Sequence, residues 1–133
     1  MTIYLDTNCI IYFVENHPVW CPKVTARIVA FRAAGDGIAV GDLARSECLV
    51  IPFRNKDAGL ESRYRAFFGD ADIRGLSISV DACERAARLR ADYSLKLPDA
   101  LHLATAIEHG CGLFLTADAQ LARCPEIAVE VLV

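Results

Sequence analysis

The chain has 133 residues, enough for one compact domain and too few for two comfortable ones. Hydrophobic residues make up 54% of it, which supports a real core and excludes a disordered chain. The net charge of −3 argues against a module that binds nucleic acid by phosphate neutralisation alone. It does not argue against a nuclease, whose site acids add negative charge that a bound metal cancels.

Thr2–Leu5 is short and β-prone and predicts a buried first strand. Thr7–Glu15, with Ile10, Ile11, Phe13 and Val14, predicts a first helix that Asn16-His17-Pro18 breaks. Lys23–Ala34 puts Val24, Ile28 and Phe31 on one helical face and is closed by Gly35. Gly37–Gly41 is a second short strand. Asp42 is placed to cap a helix over Leu43–Val50, which Pro52 is expected to end. Asp57–Phe68 is a further helix, with Leu60, Tyr64, Phe67 and Phe68 on one side. Arg74–Ser79 alternates as a third strand, and Ser79 caps a helix over Val80–Tyr93 whose Ala82, Ala86 and Leu89 face inward. Pro98 suits the first turn of a helix over Pro98–His109, stopped by Gly110. Gly112–Leu115 is a fourth strand, Asp118 caps a short turn over Ala119–Ala122, and Ala128–Val133 is a last, edge-like strand.

Strands that alternate with helices imply an α/β fold: a parallel sheet of four to five strands covered on both faces. Residues 1–133 read as a single domain without repeat, low-complexity stretch or linker. No apolar run approaches the ~20 residues of a membrane helix, and the start lacks a signal-peptide pattern, so a cytoplasmic protein is expected. Six cysteines (Cys9, Cys21, Cys48, Cys83, Cys111, Cys124) show no C-x-x-C and no zinc-like cluster. They are expected to be free thiols, mostly buried.

Four carboxylates stand where a carboxylate is either a helix cap or a metal ligand. Asp6 follows the apolar run Ile3-Tyr4-Leu5, and Asp118 follows Leu113-Phe114-Leu115-Thr116-Ala117. Both then project from the same edge of a parallel sheet, outside the carboxyl ends of the strands, where α/β folds bind ligands. Glu47 lies on the helix after the second strand, and Asp99 on the first turn after Pro98. Two carboxylates ~4 Å apart repel by about 4 kcal/mol at an effective dielectric of about 20. Four acids brought together therefore need protons or a cation, and hard oxygen donors favour Mg²⁺ or Mn²⁺ over Zn²⁺. Taken singly, each of these acids is better explained by capping, a helix dipole or a solvated face, and only the joint arrangement points to a site.

Asp6-Thr7-Asn8 after an apolar strand, Glu47 in Ser46-Glu47-Cys48, Leu97-Pro98-Asp99-Ala100-Leu101-His102-Leu103-Ala104-Thr105-Ala106, and Leu115-Thr116-Ala117-Asp118 together resemble the PIN-domain family. The nearest flavour is the VapC-type toxin ribonuclease of toxin–antitoxin pairs. The resemblance covers essentially the whole chain. It implies a three-layer α/β/α sandwich and Mg²⁺- or Mn²⁺-dependent cleavage of RNA. It implies that Asp6, Asp99 and Asp118 ligate metal, and that Glu47 does so directly or holds a metal-bound water. Thr116 matches the family's hydroxyl that steadies the site, and Asn8 points there too. A homodimer and a small inhibitory antitoxin are further implications. A non-catalytic RNA- or protein-binding module, or an RNA-processing nuclease without an antitoxin, stays open.

Arg45, Arg54, Lys56, Arg63 and Arg65 form a loosely basic stretch, and Lys96 precedes the Leu-Pro-Asp segment. Arg45, Arg54, Lys56 and Lys96 are candidates for contacts to RNA phosphates, set against an ordinary solvated helix face. Trp20, Phe53, Phe67 and Phe68 lie in segments suited to a partner surface, or to the core, which large aromatics usually fill. His102, three residues from Asp99, reads first as a histidine hydrogen-bonded within the fold. A Cys–His nucleophile pair and a strand-end phospho-aspartate find no supporting spacing, and no Gly-rich phosphate loop occurs.

Overall fold

The computed structural model describes residues 1–133. The chain runs β1 (Thr2–Leu5), α1 (Thr7–Val14), α2 (Trp20–Ala33), β2 (Gly37–Gly41), α3 (Leu43–Arg54), α4 (Ala58–Phe68), β3 (Ile73–Leu76), α5 (Val80–Tyr93), α6 (Leu97–Glu108), β4 (Leu113–Thr116), a 3₁₀ turn (Ala119–Arg123) and β5 (Ala128–Val131). All five strands are parallel, in the order β3-β2-β1-β4-β5.

Side-chain alternation along β1 divides the core between the two faces of the sheet. Ile3 and Leu5, with Ile38 and Val40 of β2, pack against Ile10, Val24, Ile28, Phe31, Leu49 and Tyr64 from α1 to α4. Tyr4, Ala39 and Phe114 point the other way and meet Ala82, Ala86, Leu89 and Leu103 of α5 and α6. The result is the expected α/β/α sandwich. Burial on both faces is why the central strands read as unbroken apolar runs.

β2 and β3 are laid down on one side of β1, and β4 and β5 on the other. The order reverses between β1 and β4, and the crevice outside the carboxyl ends of the strands at such a switch point is where α/β sheets bind ligands. The Asp6 N–H reaches the Leu115 carbonyl at 2.9 Å, so the residue after β1 is fixed to β4.

Several expected boundaries shift. α3 runs through Pro52 to Arg54 instead of ending at Val50. A proline in the last turn removes one helical bond, and the turn still closes through Asn55 N–H to Ile51 and Asp57 N–H to Pro52, both at 2.9 Å. Asp42 is not the side-chain cap of α3: its backbone is already helical and its carboxylate makes no cap bond. α2 begins at Trp20 rather than Lys23, because Pro22 falls in the first turn, where a missing N–H costs nothing. β3 is Ile73–Leu76 rather than Arg74–Ser79, since pairing with β2 stops at Leu76 and Ser79 is engaged in capping α5 at Ala82 N–H. The other ends differ by one or two residues, as helix and strand ends commonly do. No helix is long and apolar enough to cross a membrane.

Candidate active site

The crevice is built first from Asp6. It sits at the N-cap of α1, where Oδ1 accepts from Thr7 N–H at 2.9 Å, and Oδ2 accepts from the Thr116 hydroxyl at 2.7 Å. The residue is only 5% exposed. Burial pushes its carboxyl above the ordinary range, more than its hydrogen-bond donors pull it down. Thr116, fully buried at the end of β4, also accepts from Asp118 N–H at 3.0 Å. Asn8 braces the pair. Its amide lies 3.4 Å from both Asp6 Oδ2 and Thr116 Oγ1, and its oxygen accepts from Ala117 N–H at 3.2 Å. Asp118, half-buried, caps the 3₁₀ turn through Oδ1 to Gln120 N–H at 2.9 Å.

Glu47 reaches the crevice from α3. Its Oε1 accepts from the Thr7 hydroxyl at 2.8 Å and lies 2.5 Å from His102 Nε2. Burial raises this carboxyl, but those two hydrogen bonds outweigh it and hold Glu47 below the ordinary range. Thr7 thus touches two acids at once, Asp6 through its backbone and Glu47 through its hydroxyl. Asp99, half-buried in the first turn of α6, is pushed up by burial and then by the charges of Asp6 and Asp118. Lys96, at the N-cap position of α6, acts against that rise.

The four acids therefore share one sheet edge and feel one another's charge. As the side chains stand, no three carboxylates, imidazoles or thiols are gathered closely enough to grip one metal ion. The chemistry of the acids fits a hard divalent cation: the donors are oxygens, and the one nearby imidazole faces Glu47 rather than standing among the other acids.

Arg45 leans over the Phe68 ring at 4.8 Å, and Arg54 and Lys56 are exposed at the far end of α3, without a contact to the acids. Arg63 donates to the Val14 carbonyl and Arg65 pairs with Glu61, both structural roles. Phe67 and Phe68 belong to the core; Trp20 is half-buried and stacked on Tyr12; Phe53 is 52% exposed. Four cysteines are buried and none is paired. Burial lifts the Cys48 thiol to about 12 and Cys9 further still, which disposes of a thiolate nucleophile. The largest cavity, about 480 Å³, opens between α1, α2 and α4 beside Phe13, Cys21, Thr25 and Arg63, and includes none of the four acids. Tyr4 and Thr7 were not singled out as site residues from the sequence, and neither was the contact of His102 with Glu47. The available signal was a histidine flanked on α6 by Ala100, Leu103 and Ala104, a buried face on which a polar side chain must find partners.

The fold is thus a parallel α/β sandwich that carries acids beyond two adjacent strand ends and on two flanking helices. The chain belongs to the PIN domain family, whose model matches residues 3–127. Its fold is that of VapBC2 from Rickettsia felis, solved with a promoter DNA fragment, at a TM-score of 0.83 and 18% identity over 100% of both chains. A toxin–antitoxin complex from Klebsiella pneumoniae aligns at 0.73 with 27% identity over 95% of each chain. VapC20 of Mycobacterium tuberculosis, a sarcin–ricin loop cleaving toxin, aligns at 0.70 with 13% identity over 90% of this chain and 92% of its own. No curated protein matches the sequence significantly.

Proposed function

We propose that this protein is a divalent-metal-dependent endoribonuclease that acts as the toxin of a toxin–antitoxin pair. The observation that carries the reading is the placing of acids beyond the carboxyl ends of the neighbouring strands β1 and β4, where Asp99 feels the charges of both Asp6 and Asp118. A structural scaffold gains nothing from that repulsion. In this reading Asp6, Asp99 and Asp118 hold Mg²⁺ or Mn²⁺, and Glu47 either joins them or orients a water. When bound, such a cation neutralises charge on the phosphoryl group and raises the hydroxide fraction of its water.

The chain's own residues do the remainder. Thr116 donates to Asp6 and accepts from the Asp118 backbone, which sets two acids from adjacent strands in register. Asn8 keeps that pair from turning. Glu47, kept ionised by Thr7 and His102, is an acceptor suited to orienting a water proton at the phosphodiester. Lys96, exposed beside Asp99, is placed to meet the RNA backbone, with Arg45, Arg54 and Lys56 contributing weaker, longer-range attraction. The Klebsiella complex, at 27% identity, supports a small antitoxin partner for this chain. Family likeness extends the reading to a homodimer working in the cytoplasm.

The test is cleavage of total RNA by the purified protein with Mg²⁺ or Mn²⁺, with and without EDTA, together with growth on expression alone. Metal-dependent fragments and growth arrest are expected. Absence of cleavage on both structured and single-stranded RNA overturns the enzymatic reading in favour of a binding module.

A further inference from the structure

Behind Glu47 lies a chain of buried hydrogen bonds that no capping or packing need accounts for. His102 is 1% exposed and sits on the inward face of α6. Its Nδ1 lies 2.6 Å from the Tyr4 hydroxyl, and its Nε2 lies 2.5 Å from Glu47 Oε1 and 3.1 Å from Thr7 Oγ1. Tyr4 is itself fully buried, stacked on Phe114 in the middle of β1.

The protons can be counted. A phenol stays protonated at neutral pH, since its ordinary ionisation falls near pH ~10. Its O–H must find an acceptor, and the only side-chain partner within reach is Nδ1. Nδ1 is therefore bare, and the ring carries its proton on Nε2. That N–H points at Glu47. A proton on Nδ1 would instead leave the Tyr4 O–H without a side-chain acceptor in the core. The room for this arrangement comes from Gly41, at the end of β2, where a Cβ would overlap the Tyr4 hydroxyl and lie 3.5 Å from His102 Nδ1.

We propose that His102 is a positioning residue, fixed as its Nε2–H tautomer by Tyr4 and holding Glu47 in the orientation that the acidic crevice uses. The relay acts from inside the core, so Glu47 is oriented without a group on the solvent side that competes with substrate. Both bonds fall on Oε1, and Oε2 accepts none. The inference rests on the nuclease reading for its consequence and on the hydrogen-bond geometry for its mechanism, and the experiment separates the two.

Imidazole ¹⁵N spectra of the wild-type protein read the tautomer without any cleavage. His102 is expected to show a protonated Nε2 and a bare Nδ1; a protonated Nδ1, in either the neutral or the charged ring, overturns the relay. Kinetics then read the consequence. The double variant Y4F/H102L removes both ends of the Tyr–His bond, so no buried polar group is orphaned there and the fold is retained. It is expected to lose about 10–100-fold in kcat with little change in KM for RNA. Y4F/H102Q, which offers Glu47 an amide N–H near the place of Nε2–H, is expected to recover most of that loss. Wild-type kcat in Y4F/H102L, or an equal loss in both variants, overturns the positioning role. A wild-type protein that shows the expected tautomer but cleaves no RNA overturns the nuclease reading and, with it, the catalytic consequence proposed for the relay.

Discussion

Gly41→Ala is the sharpest probe of how the site is built from the core outward. The added methyl would overlap the Tyr4 hydroxyl, with Tyr4 Cζ at 3.2 Å and His102 Nδ1 at 3.5 Å as its next neighbours. Only the hydroxyl is a true obstruction, because a 3.2 Å contact is relieved by a shift of a few tenths of an ångström. Overpacking of this kind costs about 1–3 kcal/mol. Displacing the hydroxyl from His102 leaves a buried pair unmade, at a further ~1–3 kcal/mol. For a domain of this size the sum corresponds to a fall in Tm on the order of 10 °C. Tyr4→Phe alone orphans Nδ1 and costs about 1–2 kcal/mol. It also removes the atom that the added methyl would strike, so the double variant should be little worse than Y4F. The two substitutions should therefore couple favourably by nearly the whole cost of Gly41→Ala, roughly 2–6 kcal/mol, in a double-mutant cycle. Urea titration of the four proteins, metal-free, measures this directly. Simple additivity would refute the claim that Gly41 exists to seat the Tyr4 hydroxyl.

Asp99→Asn should reduce kcat by at least ~100-fold, as removal of a metal ligand or its charge does, while the metal-free Tm rises, because a repelling charge is gone; calorimetry and cleavage read together check it, and a fall in metal-free Tm would count against charge crowding. Thr116→Val keeps the shape but leaves Asp118 N–H without its 3.0 Å acceptor and Asp6 without its 2.7 Å donor, and should cost roughly 1–3 kcal/mol by urea titration. The pH dependence has a definite sign. Asp6 and Asp99 are both raised in the folded protein, so between the ordinary Asp range and their folded values the native state binds more protons than the unfolded chain. Metal-free stability should then fall as pH rises through those values towards neutrality, and Mn²⁺ should remove the trend. Glu47 is lowered and acts oppositely, its contribution being lost only as pH drops below the ordinary Glu range. A Tm of the EDTA-treated protein that climbs steadily from about pH 5 to about pH 7.5 would contradict this assignment.

The strand-end acids were legible because local chemistry announces them: an apolar run of strand length followed at once by Asp6, and another followed within two residues by Asp118. The parallel alternation then places both at one sheet edge. The α3 end was not legible, because proline's effect depends on where in the helix it falls, and Pro52 falls in the last turn. Asp42 looked like a cap by residue type, but capping needs a backbone outside the helical region, which the chain does not give it. The Tyr4–His102–Glu47 relay was out of reach for another reason. Its members are separated by 98 and 55 residues, and only the packing of α6 across β1 and towards α3 brings them together.

Cap and ligand are compatible roles for one acid, because a carboxylate has two oxygens. Asp6 caps α1 with one oxygen and receives Thr116 on the other. Asp118 caps its turn with Oδ1, and Glu47 takes both of its hydrogen bonds on Oε1. In Asp118 and Glu47 the second oxygen carries no protein bond. A carboxylate anchored through one oxygen loses its rotational freedom before any ligand arrives, so the entropy of fixing it is already spent in folding. The caps are thus how the fold holds its acids in place while they repel. Removing a bond that anchors an acid, such as the one from Thr116 to Asp6 or from Thr7 to Glu47, should loosen that acid and weaken metal binding even where the carboxylate itself is untouched.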